Sequence, residues 1–82
     1  MTLTELRYVV ALAQERHFGR AARKCFVTQP TLSLALAKLE EELGLRLFER
    51  NKNEVLVTPR GQAVVEQARR VLAERDAVQL RA

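Results

Sequence analysis

Apolar residues recur every three or four positions through Leu3, Leu6, Val9, Val10 and Ala13, the spacing of a helix with one buried face. In front of them, Thr2-Leu3-Thr4-Glu5 has the spacing of a capping box, with Thr2 as N-cap and Glu5 three residues on. A first helix is therefore predicted to about Gln14 or Glu15, stopped by the polar run Glu15-Arg16-His17. A short second helix follows from Phe18 to Lys24, with Gly19 near its start. The third opens at Thr28 with Pro30 in its first turn and carries Leu32, Leu36, Leu39 and Leu43 on one stripe. Gly44 then supplies a C-cap.

Past Gly44 the period changes. Leu45-Arg46-Leu47-Phe48 and Val55-Leu56-Val57 are short, apolar and partly alternating, while Glu49 to Glu54 is wholly charged or amide. That pattern predicts two strands joined by a polar loop. Asn51 and Asn53 tolerate positive φ there, but no Asn-Gly or Asp-Gly fixes the turn type. Thr58-Pro59 repeats the signature of a helix start. Beyond it Val64, Ala68, Val71 and Val78 fall near heptad spacing, with Val65 and Leu72 beside them, and no stop signal precedes Ala82. The predicted fold is mainly α: a winged helix-turn-helix of three helices and a two-stranded wing over residues 1–58, then a long linker helix over residues 59–82. A helix still amphipathic at Val78 is longer than the domain beneath it. Val64, Ala68, Val71, Leu72 and Val78 are thus expected to pack on a partner chain, with the chain's own first helix as the alternative.

Composition narrows the class. Eighty-two residues at 48% hydrophobic form one domain, near the lower limit for folding on a single core. Fourteen basic against ten acidic side chains give a net charge of +4 and a pI of about 10.0, a modest bias towards an anionic partner. The single cysteine, Cys25, excludes an internal disulfide and a multi-cysteine zinc site and suits a reducing cytoplasm. No apolar stretch is long enough to span a bilayer, and the N-terminus lacks a signal-peptide layout. His17 has no partner at metal-ligand spacing, and Cys25 is expected in the core beside Ala21, Ala22, Val27 and Leu32 rather than as a nucleophile served by His17. With no paired acid and base and no glycine-rich phosphate loop, neither an enzyme, a metal nor a cofactor is expected.

The run from Arg20 to Ser33 carries the chemistry. Ala21 and Ala22 are small where two helices cross, and Cys25, Val27 and Leu32 are apolar where they share a core. The next helix begins with polar Gln29, Thr31 and Ser33. In a DNA-binding helix-turn-helix, this first turn reaches base edges in the major groove. Gln29 can pair with adenine N6 and N7, against the plain reading of a solvated glutamine. Thr31 and Ser33 can bond a base or a phosphate, or be ordinary hydroxyls of a helix start. Pro30 and Leu34 lie opposite the leucine stripe, where Leu34 is either a thymine-methyl contact or a scattered surface leucine. Thr28, Arg20, Arg23 and Lys38 are phosphate candidates, as are Arg50 and Lys52 flanking the wing tip, although Glu49 and Glu54 are near enough to compensate the last two. A different class, a winged-helix module in which Gln29, Pro30 and Leu34 meet protein without DNA sequence specificity, stays open. Its binding would lack the steep salt dependence of phosphate contact.

In these same residues the chain resembles the N-terminal DNA-binding domain of LysR-type transcriptional regulators. The likeness is carried by Leu6-Arg7-Tyr8-Val9-Val10-Ala11-Leu12-Ala13, Phe18-Gly19-Arg20-Ala21-Ala22, Val27-Thr28-Gln29-Pro30-Thr31-Leu32-Ser33, Leu39-Glu40-Glu41-Glu42-Leu43-Gly44, Leu47-Phe48-Glu49-Arg50 and Val57-Thr58-Pro59-Arg60-Gly61. Arg16 to Ala22 and Cys25 to Ser33 look most like the peroxide-sensing, OxyR-type branch. The resemblance implies a bacterial cytoplasmic regulator, nucleoid-associated when bound, with a further C-terminal sensing domain. It also implies a homodimer through the linker helix, tetramers of the full-length protein, dyad-symmetric promoter sites and RNA polymerase as a candidate partner. Leu34 stands where some relatives carry a DNA-contacting arginine, and Phe26 where simpler helix-turn-helix motifs use glycine.

Overall fold

A computed structural model describes residues 1–52 and 54–82 and consists of α1 (Leu3–Glu15), α2 (Phe18–Lys24), α3 (Gln29–Leu43), β1 (Phe48–Arg50), β2 (Val55–Val57) and α4 (Pro59–Arg81). Each helix begins on a side-chain cap, which satisfies amide groups that the first turn leaves free. Thr2 and Glu5 form the reciprocal capping box at 3.1 and 2.8 Å. Thr28 and Thr58 accept from the amides of Thr31 and Gly61 at 3.3 and 2.9 Å. His17 caps α2 through Nδ1, which accepts from the Arg20 amide at 3.0 Å. Gly44 ends α3 in the left-handed conformation, and Arg16 does the same for α1 at φ 55°.

The helices are aimed by what they bury. Val9 and Leu12 of α1, Leu32 and Leu39 of α3, and Leu47 before the wing are fully enclosed, with Leu36, Ala21, Ala22, Phe48, Val55 and Val65 around them. Each enclosed leucine contributes about 1.5–3 kcal/mol. An exposed ion pair such as Lys24–Glu15 at 3.6 Å contributes about 0–1 kcal/mol. Core packing therefore sets the crossing of α2 and α3. Leu3, counted in the apolar series, lies largely exposed instead.

The first strand of the wing differs in its bounds from the sequence expectation. β1 begins at Phe48, not Leu45, and takes in Glu49 and Arg50; the antiparallel register pairs Phe48 with Val57, Glu49 with Leu56 and Arg50 with Val55. Two contacts move it. The Leu47 and Phe48 amides donate to Glu40 Oε2 at 2.7 and 3.2 Å, and the Leu47 carbonyl accepts from the Thr58 amide at 2.9 Å. Leu47 thus belongs to the root of the wing, and pairing starts only after it. The Asn51 amide closes the turn on the Glu54 carbonyl at 2.9 Å. Asn51 keeps an ordinary backbone, since positive φ among the described residues falls at Arg16, Phe26 and Gly44; Asn53 lies outside the described residues.

α4 packs on the rest of the domain from its first turns. Its start is stitched to the wing root by the Thr58 hydroxyl, which donates to the Arg46 carbonyl at 2.6 Å, and Gly61, Val65 and Ala68 are buried. Only the outer turns project, giving extents of 44 × 25 × 19 Å. Gly61 has no room for a side chain: a Cβ there would overlap the Leu47 carbonyl oxygen, a backbone atom already committed to Thr58. Gly61→Ala is expected to cost about 1–3 kcal/mol, seen as a thermal midpoint lowered by several degrees. An unchanged midpoint would show that α4 does not seat this closely.

Candidate nucleic-acid interface

Burial of the leucine stripe turns the opposite side of α3 outward. Pro30, Thr31, Leu34 and Lys38 are exposed there, Leu34 at 73%. Gln29 is exposed at the edge of this surface and reaches back towards Gly19. With Arg16, His17, Phe18, Arg50, Asn51, Lys52 and Glu54 it lines a groove of about 380 Å³ between the α2 start, the α3 start and the wing. Three cations there, Arg16, Arg50 and Lys52, face one carboxylate, Glu54. A groove with that charge, beside the positive end of the α3 dipole, suits a phosphate backbone.

The structure separates the expected site residues by how free their side chains are. Gln29, Pro30, Leu34, Arg23, Lys38 and Lys52 are exposed and make no side-chain hydrogen bond or ion pair among the described residues. Thr28 is occupied: its hydroxyl caps α3 and donates to Thr31 Oγ1 at 2.8 Å. Arg20 turns away from the surface, donating to the Glu15 carbonyl at 3.0 Å and pairing with the Glu15 carboxylate at 3.6 Å, so it serves the α1–α2 corner. Arg50 is the last residue of β1, beside the wing turn. It lies 4.0 Å over the Phe18 ring and donates through Nη2 to Ser33 Oγ at 3.0 Å.

Sequence reasoning missed the parts that place the wing. Glu40 was one of three consecutive glutamates with nothing to single it out, yet its carboxylate holds the wing root to the recognition helix. The left-handed Arg16 turns its carbonyl to accept from the Val55 amide at 3.1 Å, tying β2 to the α1–α2 corner. Neither leaves a composition signal. Phe26 was legible as a turn position that suits glycine; it has φ 59° and is 92% exposed.

Cys25 corrects one expectation. It is the C-cap of α2, half-buried, not enclosed by the core, and borders a shallow pocket with Arg7, Val10, Gln14 and Leu72. Burial still pushes its thiol above the ordinary cysteine range, partly opposed by the charges of Arg7 and Lys24.

The apolar stripe of α4 divides in two. Ala68, expected at a partner interface, is buried in its own subunit with Val65, against α1. Val64, Val71 and Val78 form the adjoining flank at seven-residue spacing; the first two are half-buried and Val78 is 68% exposed. Val64 and Val71 border an apolar cleft with Met1, Leu6 and Leu43. Leu72 is half-buried beside Cys25.

A helix-turn-helix with its second helix presented to solvent, flanked by a two-stranded wing, defines a winged-helix DNA-binding domain. The pattern of the bacterial regulatory helix-turn-helix proteins of the lysR family matches residues 3–62, and the chain belongs to that family. It is 55% identical over 74 residues to the hydrogen peroxide-inducible genes activator of Pectobacterium carotovorum subsp. carotovorum, covering 90% of this chain and 24% of that protein. It is 54% identical, over the same shares, to the DNA-binding transcriptional dual regulator OxyR of Escherichia coli K12. The chain thus spans about a quarter of the length of the curated relatives it matches. Among solved structures, a full-length OxyR variant from Pseudomonas aeruginosa superimposes with a TM-score of 0.91 at 57% identity, over 96% of this chain and 27% of that one. The BenM DNA-binding domain in complex with benA site 1 DNA gives 0.90 at 41% identity, over 95% and 88%.

The Cys25 geometry generates a prediction. A thiol held up by burial carries little thiolate at neutral pH, and the thiolate is the reactive form. Cys25 is expected to react with peroxide or an alkylating reagent more slowly than free cysteine, with its rate rising at a higher pH. Alkylation kinetics across pH measure this; a rate at or above that of free cysteine at pH 7 would contradict the buried-thiol account.

Proposed function

We propose that this domain reads double-stranded promoter DNA as a homodimer, with the first turns of α3 in the major groove and the wing along the backbone or adjoining minor groove. The observation that carries this reading is the placement of Gln29. It is exposed at the start of a capped helix and borders a groove whose other side supplies Lys52 and Arg50. One surface then offers a group for base edges and charges for the flanking phosphates, the division of labour that sequence-specific binding needs. The BenM and CbnR DNA-binding domains, solved with DNA at 41% and 34% identity, support the same use of this fold.

Assembly follows from the outer part of α4. Val64, Val71 and Val78 keep the seven-residue spacing of a helix–helix seam once Val65 and Ala68 are committed internally. Two such domains would meet two half-sites, which suits a dyad-symmetric promoter. The names of the peroxide-inducible activators support a role in the response to oxidative stress in the bacterial cytoplasm. Sensing, tetramer formation and any contact with RNA polymerase would belong to the longer protein.

Two kinds of variant separate reading from attraction. Gln29→Ala is expected to weaken the preferred site, selected from a random pool, by about 1–3 kcal/mol while leaving random DNA almost unaffected. Lys52→Ala should weaken both alike and reduce the slope of log affinity against log salt by roughly one. Equal losses on both DNAs for Gln29→Ala would contradict base reading. For the dimer, Val78→Glu alters no internal packing and would bury an unpaired charge in the seam. Light scattering is expected to show folded monomers at concentrations where the parent chain is dimeric; a persistent dimer would place the interface elsewhere.

A further inference from the structure

We propose that Arg50 biases the hydrogen-bonding direction of Ser33, so that Ser33 acts on DNA chiefly as a donor and favours acceptor edges of the major groove. These are guanine O6 and N7, adenine N7 or thymine O4, as against the amino group of cytosine. The inference rests on the DNA-reading function proposed above and assigns one specificity-determining pair within it.

A serine hydroxyl is ambivalent, with one proton to give and two lone pairs to receive. Left alone on a helix start, Ser33 would accept from a cytosine amino group as readily as it donates to guanine. Arg50 tilts this balance towards donation. A guanidinium has donors only, so the 3.0 Å contact from Nη2 makes Ser33 Oγ the acceptor. One lone pair is then taken by a cation, which also strengthens the remaining O–H as a donor. That proton is uncommitted: Ser33 Oγ enters no other hydrogen bond among the described residues. The contact between Thr28 and Thr31 gives no such constraint, because two hydroxyls can exchange roles.

Arg50 is well held for this task. Its guanidinium sits 4.0 Å over the Phe18 ring, and its backbone is at the last paired position of β1, opposite Val55. A flat cation over a ring, with a free edge aimed at a hydroxyl, uses the shape of arginine; lysine has the charge without the planar edge. Ser33 comes one helical turn after Gln29, on the same side of α3. Arg50 is therefore a positioning residue that acts on the DNA through Ser33.

The test is a double-mutant cycle of R50K and S33A, read as the ratio of affinity for a duplex selected from a random pool to affinity for random duplex. R50K keeps the charge, so the salt slope is expected to stay unchanged while the ratio falls roughly three- to tenfold, the scale of one hydrogen bond. S33A should lower it similarly, and the double variant should lose no more than either single one. Selection repeated with R50K should relax one base-pair position and keep the others. Parent-like discrimination by R50K, or an equal further loss when R50K is added to S33A, overturns the inference while leaving DNA reading intact. A parent chain with no sequence preference overturns the DNA-reading function itself, and this pair with it.

Discussion

The recognition surface is placed by the leucines on the far side of the same helix. Leu32, Leu36 and Leu39 are buried in the same core as residues of α1, α2 and the wing root. At about 1.5–3 kcal/mol for each enclosed leucine, rotating α3 by one position would forfeit more than every surface ion pair of the domain supplies. Gln29, Pro30 and Leu34 are exposed as a geometric consequence, since they are the residues the helix period puts elsewhere. Their polar or unpaired character costs the fold little, which is what leaves them free for a ligand.

The wing joins the core through Phe48 and Val55, but two three-residue strands need further attachment to stay put. Three polar contacts supply it from three directions. Glu40 grips the root, the Arg16 carbonyl holds β2, and Arg50 leans from β1 onto Phe18 and Ser33. Each ties the wing to an element already fixed by the core. The groove between Gln29 and Lys52 is therefore a preorganised shape, so binding would spend little free energy on ordering it.

Much of this was legible in the sequence, and the reason is local. Thr2 with Glu5, Thr28 with Pro30, and Thr58 with Pro59 are chemical statements about where helices start, and the structure has helices starting there. The leucine stripe of α3 and its Gly44 stop are equally local. What failed to show were long-range polar contacts made by common residue types. Glu40 is one of three like glutamates until the wing folds back on it, and the contacts of Arg50 with Phe18 and Ser33 need the folded wing. The Ala68 assignment failed for a related cause: heptad spacing reports that a face is apolar, not which neighbour covers it. His17, marked in the sequence only by its lack of a metal-ligand partner, is the cap of α2.

The account claims that a single surface, made of the α3 start and the wing, meets DNA. Amide chemical shifts recorded as the domain is titrated with a duplex selected from a random pool would test this most directly. The account predicts that the shifts concentrate at Gln29 to Leu34 and at Arg50 to Lys52, with the apolar cleft of Leu6, Leu43 and Val64 silent apart from dimer formation. Shifts confined to that cleft or to the outer turns of α4, with Gln29 and Lys52 unmoved, would contradict it.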